Sequence, residues 1–214
     1  MNVQAHDEHY YDFITYVNKK RFISCYYQLR YIYGINPKNI LEIGVGNNLL
    51  KKFLRDTFSY KTLDISKTLK PDIVGDVVQL PLKDNVFDLV VCFQTLEHLP
   101  FSEFEPALKE IARVSRKDVL ISLPYSSTSL YLEAKLPFLK DTILRLGVRI
   151  PHFFRKHSFD GQHYWEVGKR GYSIKTIKKS LEKFFNVKEM FNPTDNTYHL
   201  FFRLEKKHVH HKQV

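Results

Sequence analysis

The chain has 214 residues, of which 33 are Lys or Arg and 23 are Asp or Glu, so its formal net charge is +10 at pH 7. This length fits a single domain with one sizeable hydrophobic core and argues against a second full domain. No apolar stretch approaches the roughly 20 residues of a spanning helix, and the polar N-terminus lacks a signal-peptide core, so we expect a cytoplasmic protein.

The two cysteines argue against some kinds of site, and the uneven charge indicates which kinds of partner are possible. Cys25 and Cys92 fall in a predicted helix and a predicted buried strand, which predicts core thiols and argues against a disulfide or a Cys-ligated metal site. Between Lys140 and Lys183 there are 11 basic residues against 4 acidic ones. This surplus fits a solvated surface, or attraction to phosphate-bearing partners or to an anionic membrane.

Helix and strand signals alternate along the first half of the chain. Residues 7–33 carry apolar and aromatic side chains at helical spacing, which predicts one or two leading helices before Gly34 and Pro37. The pattern then predicts strands at 39–43, 61–65, 72–75, 87–93 and 118–123, and helices at 48–58 and 102–115. Such alternation predicts a parallel sheet with helices on both faces.

An insertion interrupts this alternation after Pro124. Residues 125–170 are rich in Leu, Phe, Pro and basic side chains, and a helix at 173–184 follows. Two final strands, 187–192 and 198–204, are joined by "PTDN", a sequence typical of hairpin turns. We therefore predict one domain with five parts: leading helices at 1–37, a ligand-binding half at 38–124, a lid at 125–170, a helix and hairpin at 171–205, and a basic tail at 206–214.

The stretch "ILEIGVGNN" at residues 40–48 predicts a strand that runs into a tight glycine turn. A dinucleotide site of the form G-x-G-x-x-G needs glycine at 49, where the chain has Leu49. The stretch fits instead the E-x-G-x-G pattern, with Asn48 in the place of a third glycine. Asparagine tolerates the left-handed backbone better than other non-glycine residues, so we expect Asn48 to adopt it.

Two further carboxylates follow predicted strands. Asp64 ends the second strand, where it could accept both hydroxyls of a ribose, and Asp76 follows the short third strand, where it could accept the amino hydrogens of adenine. Each could also be an ordinary strand-end carboxylate, and Glu42 could cap a neighbouring helix.

Four stretches in register, "LEIGVGNN", "LDIS", "GDVVQLPLKDNVFDLVVCFQTLEHLP" and "LISLP", resemble the class I S-adenosylmethionine-dependent methyltransferases, in particular the small-molecule group with "EHL" after the fourth strand. The resemblance implies a Rossmann-like, doubly wound α/β fold with a seven-stranded sheet, an antiparallel last strand and S-adenosyl-L-methionine as cofactor. It also implies a set of cofactor contacts: Glu42 steadying the glycine loop, Gly44 and Gly46 at the methionine, Asp64 and Ile65 at the ribose, Asp76 and Val77 at the adenine, and Gln94 near the methionine amino group.

The candidate catalytic residues lie in two loops. His98 follows the fourth strand, and "DGQHYWEVG" in the insertion brings His163 and Glu166 close to Trp165. These histidines could act as a base on an acceptor. Alternatively, His98 is structural and Trp165 anchors a loop that closes the domain. We predict no metal site, since the histidines of the tail stand in a terminal segment.

The resulting functional hypothesis is methyl transfer to a small-molecule, glycan or lipid-linked acceptor. The basic surplus keeps RNA methylation as an alternative, and Asn48 keeps a non-catalytic S-adenosylmethionine-binding or scaffolding module as another. The insertion could contact a membrane, cover a hydrophobic acceptor or pack as a lid. The sequence after the fourth predicted strand is "CFQTLE", which disfavours amino methylation of adenine or glutamine.

Overall fold

A computed structural model describes residue 16 and residues 18–135 and 143–207. The first part of the predicted leading helices and most of the predicted basic tail therefore lie outside the described residues. In chain order the elements are α1 (Lys19–Ile35), β1 (Asn39–Ile43), α2 (Leu49–Leu54), β2 (Ser59–Asp64), β3 (Ile73–Val74), β4 (Phe87–Phe93), α3 (Phe101–Val114), β5 (Ser115–Pro124), β6 (Ser127–Lys135), β7 (Ile143–Pro151), α4 (Ile174–Leu181), β8 (Phe185–Phe191) and β9 (His199–Lys206). Short 3-10 turns span Lys67–Leu69 and Leu96–His98.

Seven strands form one mixed sheet in the order β3-β2-β1-β4-β5-β9-β8. The first five pair in parallel, while β9 is antiparallel to both β5 and β8. This arrangement confirms the predicted Rossmann-like sheet with its antiparallel last strand. Because the order reverses between β1 and β4, a crevice opens beyond their carboxyl ends, where open α/β sheets bind ligands.

The central strands are buried on both faces, which explains their nearly continuous apolar sequences. Along β1, Ile40 belongs to the core cluster that includes residues of α1 and α2, whereas Leu41 belongs to the cluster that includes residues of α3. The strand at 87–93 is confirmed residue for residue. Both cysteines are buried free thiols, as predicted: Cys25 lies in α1 and Cys92 lies in β4.

Two helices are shorter than predicted, whereas the helix predicted at 102–115 has its full length at Phe101–Val114. The helix expected at 48–58 ends at Leu54, because the chain turns there to bury Phe58 and to enter β2 at Ser59. The helix expected at 173–184 ends at Leu181, ahead of the buried Phe185 that begins β8. In both places tertiary burial stops a helix whose pattern alone would continue. No helix within the described residues is long and apolar enough to cross a membrane.

The insertion begins with a β-hairpin that the sequence analysis did not predict. Strands β6 and β7 pair antiparallel from Ser127↔Pro151 to Lys135↔Ile143 and form a separate two-stranded sheet. The alternation in "STSLYLEAK" is the strand signal that was missed. We refer to residues 127–135 and 143–151 as the β6–β7 hairpin.

One face of the β6–β7 hairpin is polar and turns toward the domain, while the other is apolar and exposed. Arg149 lies over the ring of the buried Tyr125, with 5.5 Å from Cζ to the ring centroid. The opposite face carries five exposed aliphatic side chains: Leu130, Leu132, Leu146, Val148 and Ile150. Their side chains are between 57% and 70% exposed, which is unusual for a contiguous group of this size.

Candidate functional site

The turn after β1 uses left-handed backbone at three positions. Gly44 has φ of 81°, Gly46 has φ of 50° and Asn48 has φ of 58°. A Cβ on Gly44 would lie 2.1 Å from Oγ1 of Thr95, so only glycine fits there. The turn thereby holds its backbone close to the loop that follows β4.

Asn48 confirms the prediction of a left-handed residue at the start of α2. Its Nδ2 also donates a hydrogen bond of 3.2 Å to the carbonyl of Leu69, a contact that sequence reasoning did not foresee. This bond ties the glycine turn to the segment that follows β2.

Asp64 links the same two segments. One carboxylate oxygen accepts from the backbone N–H of Val45 at 3.0 Å, and the other accepts from the N–H of Ser66 at 2.8 Å. Each oxygen keeps a second lone pair, so the carboxylate can still accept two ligand hydroxyls.

The predicted cofactor residues converge on a cleft of about 290 Å³ beyond the carboxyl ends of the central strands. Its lining includes every predicted cofactor residue except Glu42: Gly44, Gly46, Asp64, Ile65, Asp76, Val77 and Gln94. It also includes His98 and Tyr164, one from each predicted catalytic loop. The volume is close to the lower end of ordinary small-molecule sites.

Asp76 and Gln94 stand at two sides of this cleft. Asp76 uses one carboxylate oxygen to accept from the N–H of Val78 at 3.0 Å. Gln94 has a φ of 51°, and its Nε2 donates to the Ser122 hydroxyl at 3.1 Å. Strained backbone at a non-glycine residue beside a cleft is a recurrent feature of functional sites.

Glu42 lies behind the glycine turn instead of in the cleft. It is 5% exposed, and its Oε2 has no hydrogen-bond partner among the described residues. Burial raises the pKa of Glu42 to about 8, against the opposing influence of Tyr60 and Lys51. It lines a smaller cavity of about 90 Å³ together with Gly44 and Gly46.

Comparison with known proteins finds a family model that matches the segment around this cleft. Residues 41–123 match the family model described as a methyltransferase domain. Over these residues the chain carries a methyltransferase domain. The matched segment runs from β1 to β5 and holds the glycine turn, Asp64, Asp76 and Gln94.

Two curated relatives and one solved structure are similar to this methyltransferase domain. An uncharacterized protein of Methanocaldococcus jannaschii is 33% identical over 96 residues, which cover 44% of this chain and 36% of the relative. The malonyl-acyl-carrier-protein O-methyltransferase of Geobacter sulfurreducens is 26% identical over 136 residues, covering 56% of this chain and 50% of the relative. The chain thus matches half or less of the length of these relatives.

The solved structure is a magnesium protoporphyrin IX methyltransferase from Synechocystis with bound S-adenosylhomocysteine. It is 14% identical, has a TM-score of 0.58 and covers 89% of each chain. At this identity the likeness concerns the fold alone.

His98 stands where this cleft meets the insertion. It ends the 3-10 turn after β4, and its Nδ1 donates to the carbonyl of Gln162 at 2.9 Å. Since a carbonyl can only accept, this bond fixes the tautomer and leaves the lone pair of the neutral ring on Nε2.

Glu97, the neighbour of His98, is the site residue that sequence reasoning missed. Its side chain is fully buried, and neither carboxylate oxygen has a hydrogen-bond partner among the described residues. Burial raises the pKa of Glu97 to about 7, although His163 opposes the shift. The "EH" pair was visible in the sequence, but nothing there indicated that the glutamate side chain points inward.

His163 lies beside His98, whereas Glu166 lies behind His163. The two imidazole rings meet edge to face, with their centroids 5.0 Å apart. Oε1 of Glu166 is 3.4 Å from Nδ1 of His163 and accepts a hydrogen bond of 2.9 Å from Tyr198. Oε2 of Glu166 pairs with Lys169 at 2.8 Å. Glu166 and His163 are absent from the lining of the cleft.

This network sets the charge of its members. Burial alone would raise the pKa of Glu166, but hydrogen bonds from His163, Lys169 and Tyr198 lower it to about 2. Burial would lower the pKa of His163, yet Glu166 and Glu97 raise it. Glu166 is therefore a carboxylate at neutral pH that orients the His163 ring.

Trp165 anchors this end of the insertion to the methyltransferase domain. Its ring is fully buried and packs edge to face on Phe104, 4.9 Å between centroids. Its indole N–H donates to the carbonyl of Leu99 at 3.1 Å. The residues on either side of Trp165, Tyr164 and Glu166, are thereby held in place next to the cleft and the histidines.

Proposed function

We propose that this domain binds S-adenosyl-L-methionine in the 290 Å³ cleft and transfers its methyl group to an acceptor at the His98 end. The observation that carries the proposal is the convergence of Gly44, Asp64 and Asp76 on one cleft. Each of these residues lies at the carboxyl end of a different strand, and the match to a methyltransferase domain covers all three.

The free acceptor positions of the two carboxylates suit the cofactor's nucleoside. Asp64 has one N–H bond on each oxygen, so two lone pairs face the ribose hydroxyls. Asp76 uses only Oδ1 for Val78, which leaves Oδ2 for the adenine amino group. We assign the methionine portion to the glycine turn, since close backbone approach needs residues without a side chain, and to Gln94 next to that turn in the cleft lining.

Methyl transfer from a sulfonium is an in-line displacement, so the protein mainly aligns donor and acceptor. The acceptor approaches from the edge lined by His98 and Tyr164, opposite the adenine end. An oxygen acceptor also has to lose its proton, and the ionisable groups nearest to this edge belong to the cluster of Glu97, His98 and His163.

The β6–β7 hairpin supports an acceptor that is linked to a lipid. Its exposed aliphatic face is continued in sequence by Phe153 and Phe154, of which Phe154 is 82% exposed. Arg155 and Lys156 follow directly and are also exposed. Apolar side chains next to cations match an anionic bilayer surface, where the former enter the headgroup region and the latter meet lipid phosphates.

Transfer of labelled methyl from S-adenosylmethionine tests this function. The full chain is incubated with three fractions: soluble metabolites, extracted membrane lipid and total RNA. We expect label in the lipid fraction, and none with an Asp64→Ala variant. Label in RNA alone would support the RNA alternative and contradict ours, and cofactor binding without label in any fraction would support a non-catalytic module.

Vesicle sedimentation tests the membrane contact separately. The wild-type chain should sediment with vesicles that contain phosphatidylglycerol and far less with pure phosphatidylcholine. A Leu130→Ser/Leu146→Ser variant should stay in the supernatant. Met190→Ser is the matched control, because Met190 is an exposed apolar residue on β8, an edge strand of the main sheet and outside the β6–β7 hairpin. A dimer of the wild-type chain in sedimentation velocity that the double variant abolishes would show that the face binds a second copy instead.

A further inference from the structure

The fully buried carboxylate of Glu97 lies in a group of possible metal ligands. One ligand atom each of Glu97, His98 and His163 lies within 4.8 Å of the others. A cation that binds all three would therefore need only small side-chain movements. The group borders the cleft, since His98 belongs to the cleft lining.

The burial of Glu97 supports a cation site independently of this distance. Both of its oxygens are buried and unpartnered among the described residues, at a position with no solvent exposure. Burying a carboxylate without a partner is costly, and proteins compensate it by protonation, by pairing or by metal coordination. At Glu97 two imidazoles lie within 4.8 Å, which favours coordination.

The outer contacts of both histidines resemble those of metal ligands. A metal-bound imidazole usually donates its other N–H to a carbonyl or a carboxylate, which orients the ring. His98 donates Nδ1–H to the Gln162 carbonyl, and His163 has Nδ1 beside the Glu166 carboxylate. The Glu166 carboxylate is itself held by Lys169 and Tyr198, so the group that orients the His163 ring is fixed in place.

We propose that Glu97, His98 and His163 form a binding site for a divalent transition-metal ion. Two imidazoles and one carboxylate are the donor set of Zn²⁺, Fe²⁺ and related ions, whereas Mg²⁺ prefers oxygen ligands. Three protein ligands leave coordination positions open on the side of the cleft. This assignment differs from the sequence prediction, which included no metal.

The site has a consequence for catalysis that rests on the proposed function. A hydroxyl of the acceptor bound to an ion held by Glu97, His98 and His163 would lose its proton to solvent more readily, because the cation would stabilise the negative charge on oxygen. The oxygen then forms the bond to the donor methyl while the carbon–sulfur bond breaks and its electron pair stays on sulfur. His98 serves here as a ligand and leaves base catalysis to solvent.

Metal binding is tested on the full chain with His208, His210 and His211 changed to Gln, so that the histidines of the tail contribute nothing. After treatment with EDTA, this protein should bind one equivalent of Zn²⁺ in calorimetry and give the visible absorption of Co²⁺ in a site of low symmetry. Glu97→Gln and His163→Gln should each weaken Zn²⁺ binding by about 100-fold or more, since loss of an outer contact to a ligand alone costs about 10-fold to 100-fold.

Two controls make the result specific. His152→Gln alters a histidine of the same insertion that contacts the hydroxyls of Ser126 and Thr128, and it should bind Zn²⁺ like the parent. Binding of S-adenosylhomocysteine should persist in Glu97→Gln, which separates loss of the metal from loss of the cofactor site or the fold.

The proposal is wrong if the parent binds neither Zn²⁺ nor Co²⁺. It is equally wrong if Glu97→Gln and His163→Gln bind both ions as the parent does. Binding of Mg²⁺ in preference to Zn²⁺ would also overturn it, because that preference contradicts the nitrogen ligands.

Discussion

The carboxylate of Asp64, at the end of β2, accepts a hydrogen bond of 3.0 Å from the backbone N–H of Val45 in the glycine turn after β1. The residue proposed to hold the ribose thus also holds the turn proposed to hold the methionine portion. The Asp64 side chain therefore couples binding of the ribose to the shape of the glycine turn.

Asp64→Ala should weaken binding of S-adenosylhomocysteine by about 1.5 to 3 kcal/mol, because charge-assisted hydrogen bonds to the ribose are lost. Asp64→Asn should lose less, since the amide oxygen can still accept from Val45. Calorimetry measures both. Asp56→Ala, which removes a carboxylate that is 85% exposed, is the control and should bind like wild type. Unchanged affinity in Asp64→Ala would remove Asp64 from the site.

Gly44→Ala should destabilise the domain through two separate effects. The φ of 81° costs a residue with a Cβ about 1 to 3 kcal/mol, and the new methyl group collides with Thr95. Adding Thr95→Ala removes the two atoms closest to the new methyl group, Oγ1 and Cγ2. The double variant should therefore regain only the stability that the collision had cost. Denaturant unfolding measures the series.

Gly34→Ala is the matched control for this series. Gly34 lies in α1, and a Cβ there has no heavy atom within 4 Å. Alanine is also the better helix former by about 1 kcal/mol, so this variant should be as stable as wild type or slightly more so. Equal stability of Gly44→Ala and Gly34→Ala would show that the turn tolerates a side chain.

The fold, and the convergence of the candidate residues on one cleft, could be predicted because both follow from local patterns. Buried parallel strands give continuous apolar sequences such as "FDLVVCF", and glycine or a carboxylate at the end of such a strand lies at the ligand edge of the sheet. The register between strands then brings Asp64 and Gly44 together without any long-range signal in the sequence.

The rest could not be predicted, because it depends on contacts between distant segments. Trp165 packs against α3, and its indole contacts the carbonyl of Leu99, which lies 66 residues earlier in the chain. This long-range contact brings His163 to His98 and covers Glu97, and no local pattern in the sequence predicts it. The β6–β7 hairpin was missed for a different reason. Its apolar residues alternate as in any strand, but they face solvent, so no core requirement marks them.

Asn48 should tolerate glycine better than alanine. Glycine keeps the left-handed backbone and loses the hydrogen bond to the Leu69 carbonyl, which contributes about 1 kcal/mol. Alanine loses the bond and also bears the left-handed strain of roughly 1 to 2 kcal/mol. Urea unfolding should therefore rank stability as wild type, Asn48→Gly and Asn48→Ala in falling order. A variant Asn48→Ala as stable as Asn48→Gly would contradict the assigned conformation.

Glu42 should make the stability of the domain fall as pH rises. Its pKa is about 8 in the folded protein, against the ordinary glutamate value of 4.5 that applies to the unfolded chain, so the folded state holds a proton that the unfolded state releases. This contribution is complete below about pH 4.5 and is lost progressively up to about pH 8, by up to about 1.4 kcal/mol per pH unit. The side chain of Glu42→Gln stays neutral at every pH, so this variant should not show the loss of stability.

The measurement is the difference in melting temperature between Glu42→Gln and wild type at a series of pH values. The difference should grow in favour of the variant between about pH 5 and 8 and stay constant above that. Glu182→Gln, at the exposed end of α4, should keep a constant difference from wild type. A flat difference for Glu42→Gln would mean that its carboxylate is already ionised in the folded protein.

His163 and Glu166 should act on methyl transfer and not on cofactor binding, because neither side chain lines the cleft. Replacing His163 by Gln should depress transfer by about 10²-fold or more, as expected for a lost base or ligand. Glu166→Gln, which only ceases to orient His163, should cost about 10-fold to 100-fold. Tyr198→Phe is the matched control, since it removes one hydrogen bond to Glu166 but keeps the carboxylate, and it should retain most of the activity. Melting temperature, affinity for S-adenosylhomocysteine and turnover are measured on all three variants. A parallel fall of all three quantities in His163→Gln and Glu166→Gln would show that these residues only anchor the loop around Trp165.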